Sequence, residues 1–130
     1  MTGHPTHFEI YGDVPEALAT FYRALFGWRV EQAPGVDYWR INLGAAEGTG
    51  LRSGGIAHRP AFGQQGWMIF LEVASVDEAM AIAQREGGSV LREKAAVPKT
   101  AWCAVIADPA GNAFGIWHPD PTAMPMPEPD

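Results

Sequence analysis

The sequence predicts an α+β protein built from two tandem βαβββ modules, with mostly antiparallel strands and one helix per module. Three observations carry that prediction. First, residues 7–11 alternate, with Phe8 and Ile10 on one face and His7, Glu9 and Tyr11 on the other, as a half-buried strand does. Second, a helix start follows at once: Asp13 stands three residues before Glu16, a capping-box spacing, with Pro15 allowed in the first turn. Third, the chain repeats this order. Ile69, Leu71 and Val73 alternate with Met68, Phe70 and Glu72, and Ser75 then stands three residues before Glu78. The stretches DVPEALA (13–19) and SVDEAMA (75–81) lie 62 residues apart in a chain of 130, so nearly half the length separates two copies of one plan. Each first strand is expected to show one face to a helix and the other to a shared cavity.

In the first module, residues 1–5 read as a loose terminus and 6–11 as a strand. A helix is expected over 14–26, with Val14, Ala17, Leu18, Phe21, Tyr22 and Leu25 on its buried stripe. Gly27 stands where a helix C-cap would. Residues 28–31 suit a strand, 33–35 a turn, and 38–43 a strand with Trp39, Ile41 and Leu43 on one side and Tyr38, Arg40 and Asn42 on the other. The glycine-rich 44–55 reads as a loop into a fourth strand near 54–58, which ends the module. Residues 59–66 read as the linker to the second module, expected over 67–118.

The second module follows the same order. A strand at 67–74 precedes a helix at 76–86 with Val76, Ala79, Met80, Ile82 and Ala83 as its stripe. Gly87 and Gly88 end it. A strand at 89–92, a loop at 95–99 and an apolar strand at 101–107 come next. DPAGN at 108–112 is a turn signal, and 113–117 is the last strand. The tail from 119 to 130 is proline-rich, which keeps it out of a sheet interior.

Composition narrows the function classes. The chain is 47% hydrophobic and 11% aromatic, which suits a single packed domain over 1–130. A net charge of −6 disfavours nucleic acid, which needs clustered Lys and Arg. No apolar run is long enough for a bilayer. The single cysteine, Cys103, has no internal partner, so a reducing, cytoplasmic setting is expected. It sits in an apolar strand and reads as core, because reactive thiols need electropositive surroundings. The N-terminus has no basic stretch followed by an apolar one, so no leader is expected.

The motifs HFEI (7–10), FYRALFGW (21–28), the glycine pair at 87–88 and DPAGNAFGIW (108–117) resemble those of the vicinal oxygen chelate superfamily. That superfamily holds glyoxalase I, bleomycin-resistance proteins and extradiol dioxygenases. The resemblance implies a sheet curled into a cup with the helices outside, and a homodimer. It also implies positions at which metal-dependent members carry ligands. His7 matches the first. The equivalent second-module position is Met68, a thioether and a poor donor for a hard ion. The last-strand position falls on Gly115, which has no donor. A fourth lies within 54–58, where His58 is the one side chain that could donate. Three protein donors are the usual minimum of a catalytic site. The expectation is therefore no metal and no cofactor, with His7 a pocket histidine beside Glu9.

The cup face collects His7, Glu9 and Tyr11, then Tyr38, Arg40 and Asn42, then Met68, Phe70 and Glu72, and finally Ala113, Gly115 and Trp117. This mixed lining suits a small organic ligand, with Gly115 leaving room near the floor. Glu9 and His7 are the candidate acid–base pair. Trp28, Trp39 and Trp102 read as core or dimer-interface residues. Two further readings stand beside this one. One is a metal-dependent lyase or dioxygenase using His7, Glu9, Glu72 and, through a bulge, His118. The other is a non-catalytic interaction domain acting through a dimer surface or the tail.

Overall fold

The computed structural model describes residues 3, 5–44, 53–61 and 66–125. It divides into two compact units, Pro5–Ile69 and a second of Phe70–Asp130 with the residues before Pro5. The element order is βαβββ, twice. In the first unit β1 (Pro5–Tyr11), α1 (Pro15–Phe26), β2 (Arg29–Gln32), β3 (Trp39–Asn42) and β4 (Ser53–Ala57) follow one another. In the second, β5 (Trp67–Glu72) leads from the boundary into α2 (Val76–Arg85), β6 (Ser89–Val97), β7 (Ala101–Ala107) and β8 (Ala113–Pro119).

The strands of the first unit lie in the order β2-β3-β4-β1, and those of the second in the order β6-β7-β8-β5. β1 and β4 pair in parallel, as do β5 and β8, while β2–β3, β3–β4, β6–β7 and β7–β8 are antiparallel. The parallel pair in each unit follows from the duplication, because the long crossover it needs is supplied by the helix and the two strands between. Each unit has its own core. Phe8, Ile10, Ala19, Val30, Trp39, Ile41 and Ile56 form the first, and Val73, Val76, Ala79, Ala104, Ile106 and Ile116 the second. Of the apolar faces expected to meet the helices, Phe8 and Ile10 pack with Leu18 and Ala19 of α1, and Val73 with Val76 and Ala79 of α2, whereas Ile69 packs on the first core instead.

The helix starts differ from expectation. Ser75 caps α2, its Oγ accepting from the backbone N–H of Glu78 at 3.1 Å. Asp13 does not cap α1. The N-cap residue is Val14, without a side-chain bond, and Asp13 instead accepts from Arg59 Nε at 3.1 Å. Pro15 already sets the first turn, and moving the cap to Val14 places Asp13 one residue too early. The stripe of α1 is also rotated. Pro15 and Ala19 are buried, and Leu18 and Tyr22 pack beside them. Val14, Ala17, Phe21 and Leu25, expected inside, are exposed. The apolar arc of α1 is wider than one face, so periodicity alone could not say which part the sheet would cover.

Two strand ends also move. β6 runs through Val97, absorbing residues 95–97 of the expected 95–99 loop by register shifts between Val90 and Arg92 and between Arg92 and Ala95. The long apolar β7 offers it a ladder over its whole length. β8 continues to Pro119, with His118 opposite Trp102 in regular register, so no bulge turns His118 aside. The start of the tail is pinned. Asp120 Oδ2 accepts from Trp102 Nε1 at 3.0 Å, the Ala123 carbonyl accepts from the Lys99 N–H at 2.8 Å, and Ala123 is fully buried. Most of the glycine-rich loop (45–52), part of the linker (62–65) and the end of the tail (126–130) lie outside the described residues. The DPAGN turn closes on Asp108, whose Oδ1 accepts from the N–H groups of Ala110 and Asn112.

Candidate functional site

The polar face of the first unit is organised by strand register. Arg40, Gly55 and Glu9 lie in one cross-strand row, and Asn42, Ser53 and His7 in the next. Side chains in one row share a face. The residues expected to line a ligand site on β1 and β3 therefore do fall on one side of the sheet.

Glu9 is the centre of this face. Its Oε1 accepts from the Tyr11 hydroxyl at 2.8 Å, and its Oε2 accepts from the Tyr38 hydroxyl at 2.9 Å. His7 Nε2 lies 3.5 Å from the same Oε2 and 3.4 Å from the Tyr38 oxygen. The other ring nitrogen, Nδ1, is 3.2 Å from Ser53 Oγ. His7 and Glu9 are largely buried, with 12% and 15% of their side chains exposed. The Tyr11 hydroxyl also lies 3.9 Å from the sulfur of the buried Met68.

Burial pushes the Glu9 pKa up. Hydrogen bonds from His7 and Tyr11, the charge of His7 and the bond from Tyr38 outweigh that and hold it below the ordinary value. A carboxylate stabilised in its charged form is a weak base at neutral pH, because an effective base titrates near the working pH. What Glu9 does well is hold two phenols and an imidazole in place.

Sequence reasoning missed Gly55 and Ser53. A Cβ on Gly55 would sit 1.8 Å from the Tyr38 hydroxyl oxygen, so the bare backbone lets Tyr38 reach Glu9. The available signal was the glycine pair at 54–55 inside a strand, which marks close approach of another group. Gly54 makes the same kind of room for Phe8, whose ring lies 2.6 Å from where its Cβ would be.

In the second unit, Phe70, Gly115 and Val105 form one row, and Glu72, Trp117 and Cys103 the next. The room at Gly115 is not open. The Phe70 ring fills it, 2.2 Å from a would-be Cβ, and Trp117 packs edge-on against that ring at 6.0 Å. Phe70 is buried, and apolar burial beside a bare backbone explains why a ring rather than a ligand takes the space.

Among the described residues, the other two histidines are engaged elsewhere. His58 pairs with Asp37 on an exposed surface, and His118 Nδ1 lies 3.2 Å from the Val73 carbonyl oxygen. Among the described residues, no three His, Cys, Asp or Glu side chains gather into a group able to hold a metal ion. Cys103 is buried in β7, with Arg92 3.8 Å from its sulfur. Trp39 is buried in the core, and Trp28 and Trp102 are half-buried.

A family model for the glyoxalase-like domain matches residues 9–117. The chain belongs to the glyoxalase-like family of the vicinal oxygen chelate superfamily. Two curated glyoxalase-like relatives, each named "Putative glyoxylase CFP32", come from Mycobacterium bovis and Mycobacterium tuberculosis. Each is 32% identical over 117 residues, which is 87% of this chain and 43% of the relative. The chain thus spans less than half the length of the curated relatives it matches. Among solved glyoxalase-like folds, Streptomyces coelicolor methylmalonyl-CoA epimerase in complex with 2-nitronate-propionyl-CoA aligns with a TM-score of 0.67. That match has 16% identity over 96% of this chain and 100% of the epimerase chain. The Mycobacterium tuberculosis methylmalonyl-CoA epimerase aligns at 0.61 with 14% identity, over 91% and 89% of the two chains. Likeness at such identity establishes the fold and leaves the reaction open. No helix among the described residues is long and apolar enough to cross a membrane.

Proposed function

We propose that this glyoxalase-like chain binds a small organic molecule on the polar face of its first unit, at His7, Glu9, Tyr11, Tyr38, Arg40 and Asn42, without a divalent metal. The observation that carries this reading is the closed network on Glu9. Both of its oxygens already accept tyrosine hydroxyls, and both nitrogens of His7 lie near polar partners. A metal would have to displace those bonds and recruit further donors. The positions where the family resemblance implies them hold the Met68 thioether and the bare Gly115, and the latter's space is filled by Phe70. This donor chemistry does not fit a hard divalent ion.

The face suits a ligand with a flat or apolar body and a few polar groups. The half-buried Tyr38 ring supplies surface, and the Glu9 network keeps the hydroxyls of Tyr38 and the buried Tyr11 in defined directions. Arg40, next in the Glu9 row and exposed, supplies a cation for a carboxylate or phosphate. The epimerase neighbour is described with an acyl-CoA analogue bound, which makes thioesters one class to try.

The test has two stages. The protein is dialysed against zinc, nickel, manganese and iron(II) and its metal content measured; the expected result is far less than one ion per chain. Thermal shift is then measured with methylmalonyl-CoA, glutathione hemithioacetals, catechols and small aromatic acids. A ligand that binds the folded state alone raises its apparent stability. The expected result is a rise that Tyr38→Phe and Arg40→Ala each reduce. Stoichiometric metal that is lost in His7→Ala would overturn the reading in favour of the metal-dependent enzyme.

A further inference from the structure

A cavity of about 230 Å³ opens between α2 and the sheet of the second unit. Its floor is Val73, Ala79, Ile106 and Ile116, all buried, and its rim includes the half-buried Leu71, Ala83 and Phe114. All of these lie within one compact unit. Among the described residues, no polar side chain lines it. The cavity is on the helix side of the sheet. Leu71 and Val73 alternate with Phe70 and Glu72 along the chain and so point the other way.

The first unit shows the same place filled. Counted from the N-cap residues Val14 and Ser75, Leu18 and Ala79 are both fourth, and Tyr22 and Ala83 are both eighth. The strand register agrees. Ile10 faces Ile56 in the first unit as Leu71 faces Ile116 in the second, and Ile41 faces Gly54 as Ile106 faces Phe114. Leu18 and Tyr22 pack against the first core. The second unit keeps the apolar walls and cuts both helix side chains back to a methyl. Phe114, standing where the first unit has Gly54, takes up part of that room, and about 230 Å³ is left.

We infer that this cavity is a binding site for a small uncharged molecule of about one ring, independent of the polar face of the first unit. The lining decides the chemistry. A water molecule needs two to four polar partners, which the walls do not supply, whereas an apolar cavity of ~150 Å³ takes up benzene. A charged ligand would lose its hydration without gaining a counter-charge or a hydrogen bond. An apolar guest instead restores the dispersion contacts that the wall atoms lack. The missing Leu and Tyr side chains set the size, and the half-buried rim gives the guest a way in.

The test is methyl-detected NMR on the full chain, titrated with toluene and separately with benzoate, with thermal melts to report folding. Toluene should shift the methyl signals of Leu71, Val73, Ile106 and Ile116 saturably and show Overhauser contacts to them. Benzoate, a ring of the same size with a charge, should not. Ala79→Leu and Ala83→Leu each put back part of what Leu18 and Tyr22 supply in the first unit. Each should weaken toluene binding by at least ~10-fold in dissociation constant. Ala81→Leu, the same change at an exposed position of α2, should leave it unchanged. The two filled variants act independently, so either one that folds decides. Absence of saturable shifts and of Overhauser contacts at these methyls in wild type overturns the proposal, whatever the variants do. So does a folded, filled variant that binds toluene as wild type does, or benzoate binding there as tightly as toluene.

Discussion

Tyr38 donates from its hydroxyl to Glu9 Oε2 at 2.9 Å, and it does so through the space that Gly55 leaves empty. Gly55 lies directly opposite Glu9 in the β1–β4 register and opposite Arg40 in the β3–β4 register. One missing side chain on β4 therefore joins the residue just before β3 to the largely buried carboxylate on β1.

Replacing Gly55 with alanine should destabilise the protein by about 1–3 kcal/mol, the range for forcing an extra methyl into a packed site. Urea denaturation measures it. Tyr38→Ala made in the same background should remove most of the added cost, because the collision is with the Tyr38 hydroxyl end. Additive effects in that double-mutant cycle would mean the two residues do not share the space.

Glu9 makes stability depend on pH in a defined direction. Its folded pKa lies below the ordinary value of 4.5, so the folded state binds its proton less readily than the unfolded one. The contribution is fully present above the unfolded pKa and is lost as pH falls through the folded one. Wild type should therefore lose stability more steeply below about pH 4.5 than Glu9→Gln. At neutral pH the variant should be less stable by about 1.5–3 kcal/mol, as for a hydrogen-bonded charged group. Melting curves from pH 7 down to pH 3 would show parallel behaviour if Glu9 carried no such linkage.

At Gly115 the Phe70 ring stands 2.2 Å from a would-be Cβ. Gly115→Ala should cost at least about 1–3 kcal/mol, and Phe70→Leu in the same chain should recover part of it. A Gly115→Ala protein that is as stable as wild type in guanidinium would show that the ring moves aside freely.

The two helix starts should respond differently to the same kind of substitution. Ser75→Ala removes a side-chain cap and should cost about 1 kcal/mol. Asp13→Ala removes an ion pair whose acid is 83% exposed, and should change stability by less than about 0.5 kcal/mol. Equal losses in thermal melts would contradict the absence of a side-chain cap on α1.

Much of this arrangement was legible in the chain. Alternation in 7–11 and 38–43 placed His7, Glu9, Tyr11, Tyr38, Arg40 and Asn42 on one side, because successive side chains in a strand must point oppositely. The repeat of strand, cap and helix gave the two βαβββ modules. What could not be read were choices between equivalent local options. Asp13 and Ser75 have the same spacing to a glutamate, yet only Ser75 caps, because Pro15 shifts the first helical turn. Residues 95–97 of the expected 95–99 loop became strand where β7 offered partners.

By itself, then, the sequence determined the order of elements and the side of the sheet on which each polar residue stands. These follow from periodicity, which depends on neighbours along the chain. Only the tertiary structure decided which arc of α1 meets the sheet, that Phe70 fills the space over Gly115, and that Gly55 admits Tyr38 to Glu9. These depend on distances between residues far apart in sequence. A glycine looks the same in a sequence whether its empty side is left open, filled by a ring, or crossed by a hydroxyl reaching a carboxylate.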